Sequence, residues 1–129
     1  MTLVHLYNST ELLLGLKKRG FGEGLWNGFG GKVQPGEGIE AAALRELEEE
    51  TGIRLNTLES AGTALFYFGG KELELHYFRN PSFTGEAIET EEMRPRWFKR
   101  SQIPFDSMWP ADKLYLPQLL AGEVLSATF

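Results

Sequence analysis

The stretch Gly31-Lys32-Val33-Gln34-Pro35-Gly36-Glu37-Gly38-Ile39-Glu40-Ala41-Ala42-Ala43-Leu44-Arg45-Glu46-Leu47-Glu48-Glu49-Glu50-Thr51-Gly52-Ile53 holds the clearest helix in the chain. Ala41, Ala42, Ala43, Leu44 and Leu47 are good helix formers, and Gly52 stands where a left-handed C-terminal cap belongs, so a helix is predicted over 39–51. On that helix Glu46, Glu49 and Glu50 are spaced i, i+3, i+4 and share one face. Like charges at this spacing cost roughly 0.2–0.5 kcal/mol per pair. Hard divalent cations with oxygen ligands are the natural compensation. Arg45 is placed to turn the other way and pair bidentately with Glu37, tying the loop to the helix. Ala42, Ala43 and Leu47 supply an apolar side for docking on a sheet. A solvated acidic face is the ordinary reading of such a charge run; the offsets of Gly31, Glu37, Arg45 and Gly52 set this one apart.

Outward from the helix, the chain alternates strands and turns. Leu3 to Tyr7 and Glu11 to Leu16 read as strands around the turn residues Asn8-Ser9-Thr10. From Lys17 to Gly38 glycines recur among Phe21, Trp26 and Phe29, which predicts ordered loops around a short strand near Trp26 to Gly30. Leu58 to Phe68 and Lys71 to Arg79 read as a hairpin joined at Gly69-Gly70. Pro95 to Lys99 is a further short strand. A second helix is predicted over 112–121, between Pro110 and Gly122, kinked or restarting at Pro117. Val124 to Phe129 alternates like a strand with no partner following it, so the chain is expected to stop short of the natural domain's end. Strands mixed with two helices indicate an α/β (α+β) domain, one domain over 1–129.

Composition narrows the chemistry. No cysteine is present among the 129 residues, which excludes disulfides and thiolate metal sites. The net charge of −5 argues against a protein that lives on nucleic acid polymers. No apolar run reaches membrane-spanning length and no signal peptide is visible, so the expected place is the cytoplasm. Lys17-Lys18-Arg19 forms a small basic cluster while Glu46, Glu48, Glu49 and Glu50 crowd one short stretch, and phosphate remains a fitting ligand if metal ions sit on the carboxylates.

The spacing Gly31, five residues, Glu37, seven residues, Arg45-Glu46, aliphatic Leu47, one residue, Glu49-Glu50, one residue, Gly52, aliphatic Ile53 resembles the Nudix signature in full. That resemblance implies the Nudix fold, a mixed β-sheet sandwiched between helices, and hydrolysis of a nucleoside diphosphate linked to another group. It implies Glu46, Glu49 and Glu50 as metal ligands, with the Gly30 carbonyl and Glu92 beside them. The cation implied is Mg²⁺, with Mn²⁺ as a substitute. Arg45 and Glu37 complete the implied catalytic set. The implied chemistry is charge neutralisation and water activation at phosphorus, with one glutamate serving as general base.

Within that family, the segments 17–22, 26–34, 91–95, 97–98, 102–105 and 108–110 are similar to the MutT-type branch of animals that hydrolyses oxidised purine nucleoside triphosphates such as 8-oxo-dGTP. By that resemblance Asn27 hydrogen-bonds the purine edge, and Thr2 and Lys17 contact the nucleotide. Phe21, Phe66, Phe68 and Trp109 wall the base pocket, and Asp112 binds the base. The residues agree with this: a flat apolar site with a few fixed polar groups suits a purine. Asn27 offers a donor and an acceptor, and a buried Asp112 should have a raised pKa and could donate when protonated. Taken singly, Phe21, Phe66 and Phe68 read equally well as core, Asn27 as a turn cap and Asp112 as a helix start. Ala111 stands where the branch has a second aspartate, and Tyr115 where it has tryptophan. A lost partner for a buried base group costs on the order of 1–3 kcal/mol. Other Nudix substrates are therefore kept in view: 2-hydroxy-dATP, methylated purine nucleotides, plain dNTPs and ADP-ribose. A nucleotide-binding module without catalysis ranks below them, because all three glutamates are present. A monomer binding a small-molecule nucleotide is expected.

Overall fold

The computed structural model describes residues 1–128, apart from the side chains of Phe68 and Ala127. Seven strands form one mixed sheet: β1 (Thr2–Tyr7), β2 (Glu11–Lys17), β3 (Trp26–Asn27), β4 (Glu59–Phe68), β5 (Lys71–Asn80), β6 (Met93–Lys99) and β7 (Leu125–Thr128). Two helices, α1 (Ile39–Thr51) and α2 (Asp112–Leu120), cover its faces. The strand order is β3-β2-β1-β5-β4-β7, with β6 paired to β2. The alternation of β1 explains the layers. Val4 and Leu6 pack with Ala43 and Leu47 of α1, whereas Leu3 and Tyr7 pack with Tyr115, Leu116 and Leu119 of α2. The sheet is thus sandwiched between helices, as the Nudix resemblance implies.

β1 and β2 pair only near their shared turn, Leu6 with Leu13 and Tyr7 with Leu12. Asn8 Oδ1 closes that turn by accepting from the N–H groups of Thr10 and Glu11. Farther along, β2 pairs with β3, Gly15 opposite Asn27, and the same segment then bonds to β1 through Val4 and Phe29. The stretch 26–31 therefore enters the sheet where β1 and β2 part. The short strand predicted to reach Gly30 is a two-residue pairing followed by a single bridge at Phe29. Glycine is required beyond it: a Cβ on Gly30 would collide with the Thr2 carbonyl oxygen, and one on Gly31 would lie 2.5 Å from the Glu46 carboxyl carbon. Backbone alone fits there.

α1 ends at Gly52, φ 75°, which donates its N–H to Glu48 O, the left-handed cap read from the sequence. α2 runs unbroken through Pro117 instead of restarting. Pro117 lies in the second turn of a nine-residue helix, so the missing N–H removes one bond only. The far end of α2 is tied to the sheet by buried donors. Tyr7 Oη donates to Leu119 O at 3.1 Å. The Arg79 guanidinium donates to the carbonyls of Leu119 (3.2 Å), Gly122 (2.9 Å) and Glu123 (2.6 Å), and pairs with Glu59. β7 finds the partner that the sequence does not reveal: it runs parallel to β4, beginning at Gly62 opposite Leu125. Gly62 has φ 104° at a register shift in β4, and a Cβ there would lie 2.6 Å from Leu125 N. Phe129 lies outside the described residues. No described helix is long and apolar enough to cross a membrane.

Candidate active site

The acidic face of α1 meets the glycine loop through one buried carboxylate. Glu50 Oε1 accepts from Gly30 N–H at 2.8 Å. Burial pushes the Glu50 carboxyl up to about 8, against the lowering effect of that hydrogen bond. The Glu46 carboxyl is also raised by burial, with Arg45 opposing the rise. Its side chain occupies the space that Gly31 leaves for want of a Cβ.

Arg45 makes the bidentate pair with Glu37 expected from the sequence, Nε to Oε2 at 2.8 Å and Nη2 to Oε1 at 3.0 Å. That contact holds the Glu37 carboxyl below its ordinary range. The same guanidinium does more than expected. Nη1 reaches Glu46 Oε1 at 3.0 Å and Glu49 Oε1 at 3.3 Å, and Nη2 donates to Lys32 O at 3.1 Å. Arg45 thus offsets Glu46 and Glu49 on the acidic face, while Lys17 acts on Glu50 and Glu46. Among the described residues no three carboxylates converge as a ready cation cage, because Arg45 draws Glu46 and Glu49 to itself. The donor set nonetheless fits a hard divalent cation: only oxygens are offered, and a buried carboxyl pushed up to about 8 is one that adjacent positive charge would return to its ionised form.

Glu92 approaches from the loop before β6. It accepts from Arg19 Nη2 at 2.6 Å and pairs with Lys17 Nζ at 3.6 Å. The Arg19 contact holds its carboxyl below the usual range. Lys17, Arg19 and Glu92 so form one charged edge of the site.

At the start of the glycine loop, Asn27 Oδ1 accepts from Gly28 N–H at 2.9 Å, which leaves its amide N–H₂ to donate outward. Trp109 stacks with Phe21, ring centroids 5.0 Å apart and planes at 29°. Phe21 is 74% exposed, a surface ring laid on Trp109 and no part of the core. Phe66 packs against the α2-side core. Thr2 is buried, its hydroxyl within 3.4 Å of Gly31 O and of Gly31 N, so it braces the loop. The Phe68 side chain lies outside the described residues. Asp112 is wholly buried, and burial lifts its carboxyl to about 6 against hydrogen bonds from Tyr115 and the Trp109 backbone. Two residues escape the sequence reading. His5, held neutral by burial with a pKa of about 4, and Tyr77 lie with Tyr115 on the α2 side of the sheet. The one available signal was a histidine in an otherwise apolar strand.

The NUDIX domain pattern matches residues 2–119. Oxidized purine nucleoside triphosphate hydrolases of Danio rerio and Mus musculus are each 50% identical to this chain. The matches cover 93% and 92% of it respectively and 78% of either relative. A crystal structure of a MutT protein from Bacillus halodurans superposes with a TM-score of 0.82 at 29% identity, covering 99% of this chain and 86% of that one. Signature spacing, sandwiched sheet and near full-length similarity coincide, and the chain belongs to the Nudix family.

Proposed function

We propose that this Nudix hydrolase cleaves oxidised purine nucleoside triphosphates, 8-oxo-dGTP foremost, to the monophosphate and pyrophosphate, sanitising the nucleotide pool of the cytoplasm as a one-domain monomer. The observation that carries the reading is the joining of both ends of a nucleotide site by one loop. Gly30 is bonded to Glu50 of the acidic helix, and Asn27, three residues earlier, presents its amide N–H₂ on the base side. Three extended residues span about 10 Å, the scale of a nucleotide. The names of the 50% identical relatives support the substrate class.

Glu46, Glu49, Glu50 and the Gly30 carbonyl would hold Mg²⁺, with Glu92 beside them. The bound cation supplies positive charge to the phosphate oxygens and to the attacking water. Arg45 fixes the carboxylates in register with Glu37 and the loop. Lys17 and Arg19 are poised to exchange Glu92 for phosphate oxygens. Asn27 donates to a base oxygen, Asp112 meets the base N–H groups, and Trp109 stacks on the ring.

The test uses purified protein with Mg²⁺ and a panel of 8-oxo-dGTP, dGTP, 2-hydroxy-dATP and ADP-ribose. Turnover of 8-oxo-dGTP should far exceed that of dGTP, and equal rates refute the selectivity. Glu50→Gln should lose turnover to background with an unchanged melting curve; retained turnover would remove Glu50 from the metal site.

A further inference from the structure

The four buried side-chain polar atoms that lack a hydrogen-bond partner among the described residues are His5 Nδ1 and Nε2, Tyr77 Oη and Asp112 Oδ2. They are gathered around one ring. Tyr115 lies 6.3 Å from the His5 ring, edge to face, and 4.8 Å from Tyr77. Its hydroxyl donates to Asp112 Oδ1. Buried polar atoms are ordinarily satisfied, and a cluster of exceptions calls for a ligand. The place of the cluster names that ligand's chemistry. Asp112 starts α2 immediately after Trp109-Pro110-Ala111, and a Cβ on Gly28 would lie 2.9 Å from His5 Nε2. The cluster therefore lies beneath the segment carrying Asn27, under the base site. Ala111 offers no polar side-chain atom, so Asp112 is the one acidic group of the segment 109–112.

We propose that Tyr115 is a positioning residue for base selection: by donating to Asp112 Oδ1 it reserves Oδ2 for the purine edge, so that one aspartate braced from below serves in place of a pair. The proposal rests on the oxidised-purine reading. The bond is local to α2, where positions i and i+3 meet, so its geometry travels with the helix. The groups facing Asp112 are Tyr115 from α2, Tyr77 from β5 and the Trp109 backbone, and His5 from β1 lies beside Tyr115. None of them carries charge at neutral pH, and His5 is held neutral by burial. The Tyr115 hydroxyl favours the ionised carboxylate, the form that accepts from a base N–H.

Tyr115→Phe removes one oxygen and keeps the ring. In the full chain with Mg²⁺, KM for 8-oxo-dGTP should rise about tenfold, the loss of one buried hydrogen bond, while kcat changes by less than about twofold. The acidic limb of kcat/KM should move to higher pH, because the carboxyl loses a donor that favours ionisation. In an Asp112→Asn background the same substitution should add nothing. Unchanged KM and pH profile, or additive effects in the double variant, would overturn the proposal. Should Tyr115→Phe fail to fold, the wild-type proton spectrum decides. A slowly exchanging Tyr115 hydroxyl signal should shift when 8-oxo-dGMP binds, and a signal indifferent to the product overturns the proposal. If the wild type does not favour 8-oxo-dGTP over dGTP, it is the substrate reading that fails; the KM and spectral comparisons then pass, with the same criteria, to the nucleotide that is hydrolysed and its monophosphate.

Discussion

Replacing His5 by leucine should stabilise the protein and make its dependence on pH steeper in an unfamiliar direction. His5 is wholly buried, neither ring nitrogen has a hydrogen-bond partner among the described residues, and its pKa is lowered from 6.5 to about 4. Near pH 7.5 the gain comes from removing two unsatisfied atoms, about 1–3 kcal/mol. As pH falls the unfolded chain takes up a proton on His5 that the folded chain refuses. The stability linked to this group is complete above 6.5 and is lost as pH falls toward 4. Each pH unit between the folded and unfolded pKa values carries about 1.4 kcal/mol, so the wild type loses about 2 kcal/mol by pH 5 and about 3 kcal/mol below pH 4. Asp112 opposes it. Its folded pKa of about 6 against 3.8 gives stability present below 3.8 and lost as pH rises through 6, again about 3 kcal/mol. In the wild type the two nearly cancel between pH 4 and 6.5. His5→Leu removes the His5 loss and leaves the other contributions in place, so the advantage of the variant should widen by about 2 kcal/mol from pH 7.5 to pH 5. Urea unfolding followed by tryptophan fluorescence at stepped pH measures the difference, with a two-state transition expected at this size. Other titrating groups cancel between the two proteins. Parallel stability curves would refute the reasoning.

Two substitutions test the backbone approaches. Gly31→Ala places a methyl 2.5 Å from the Glu46 carboxyl carbon; kcat should fall by at least about tenfold, in the range set by disturbed metal-site geometry, with little change in melting temperature, and wild-type kcat would show that Glu46 need not stay where it is. Gly62→Val combines a strained φ of 104° with a collision against β7; it should cost about 2–4 kcal/mol in urea unfolding, and a cost under about 1 kcal/mol would mean that β7 pairing contributes little.

The helix carrying the glutamates was legible because its evidence is local: the alanine run, the i, i+3, i+4 spacing and Gly52 all lie within one window. The β4–β5 hairpin was legible for the same reason, at Gly69-Gly70. The partner of β7 was not, since parallel pairing with β4 depends on a glycine more than sixty residues earlier. Arg45 shows a finer limit. Its pairing with Glu37 follows from spacing, but its hold on Glu46 and Glu49 depends on which rotamers win when three carboxylates compete for one guanidinium. The polar cluster was illegible because His5, Tyr77 and Tyr115 come from three distant segments. Tyr77 and Tyr115 look like ordinary core in their own segments, and a lone histidine in an apolar strand does not say what it faces.

Arg79 and Tyr7 fasten the far end of α2 and the turn after it with four hydrogen bonds to the carbonyls of Leu119, Gly122 and Glu123. They reach from β5 and β1, so α2 and the turn leading into β7 cannot detach without breaking into the centre of the sheet. Amide protons of 112–125 should therefore exchange with solvent as a group, at the rate of global unfolding and not by fraying from one end. That segment would then behave in time as it does in space, as part of the core it closes.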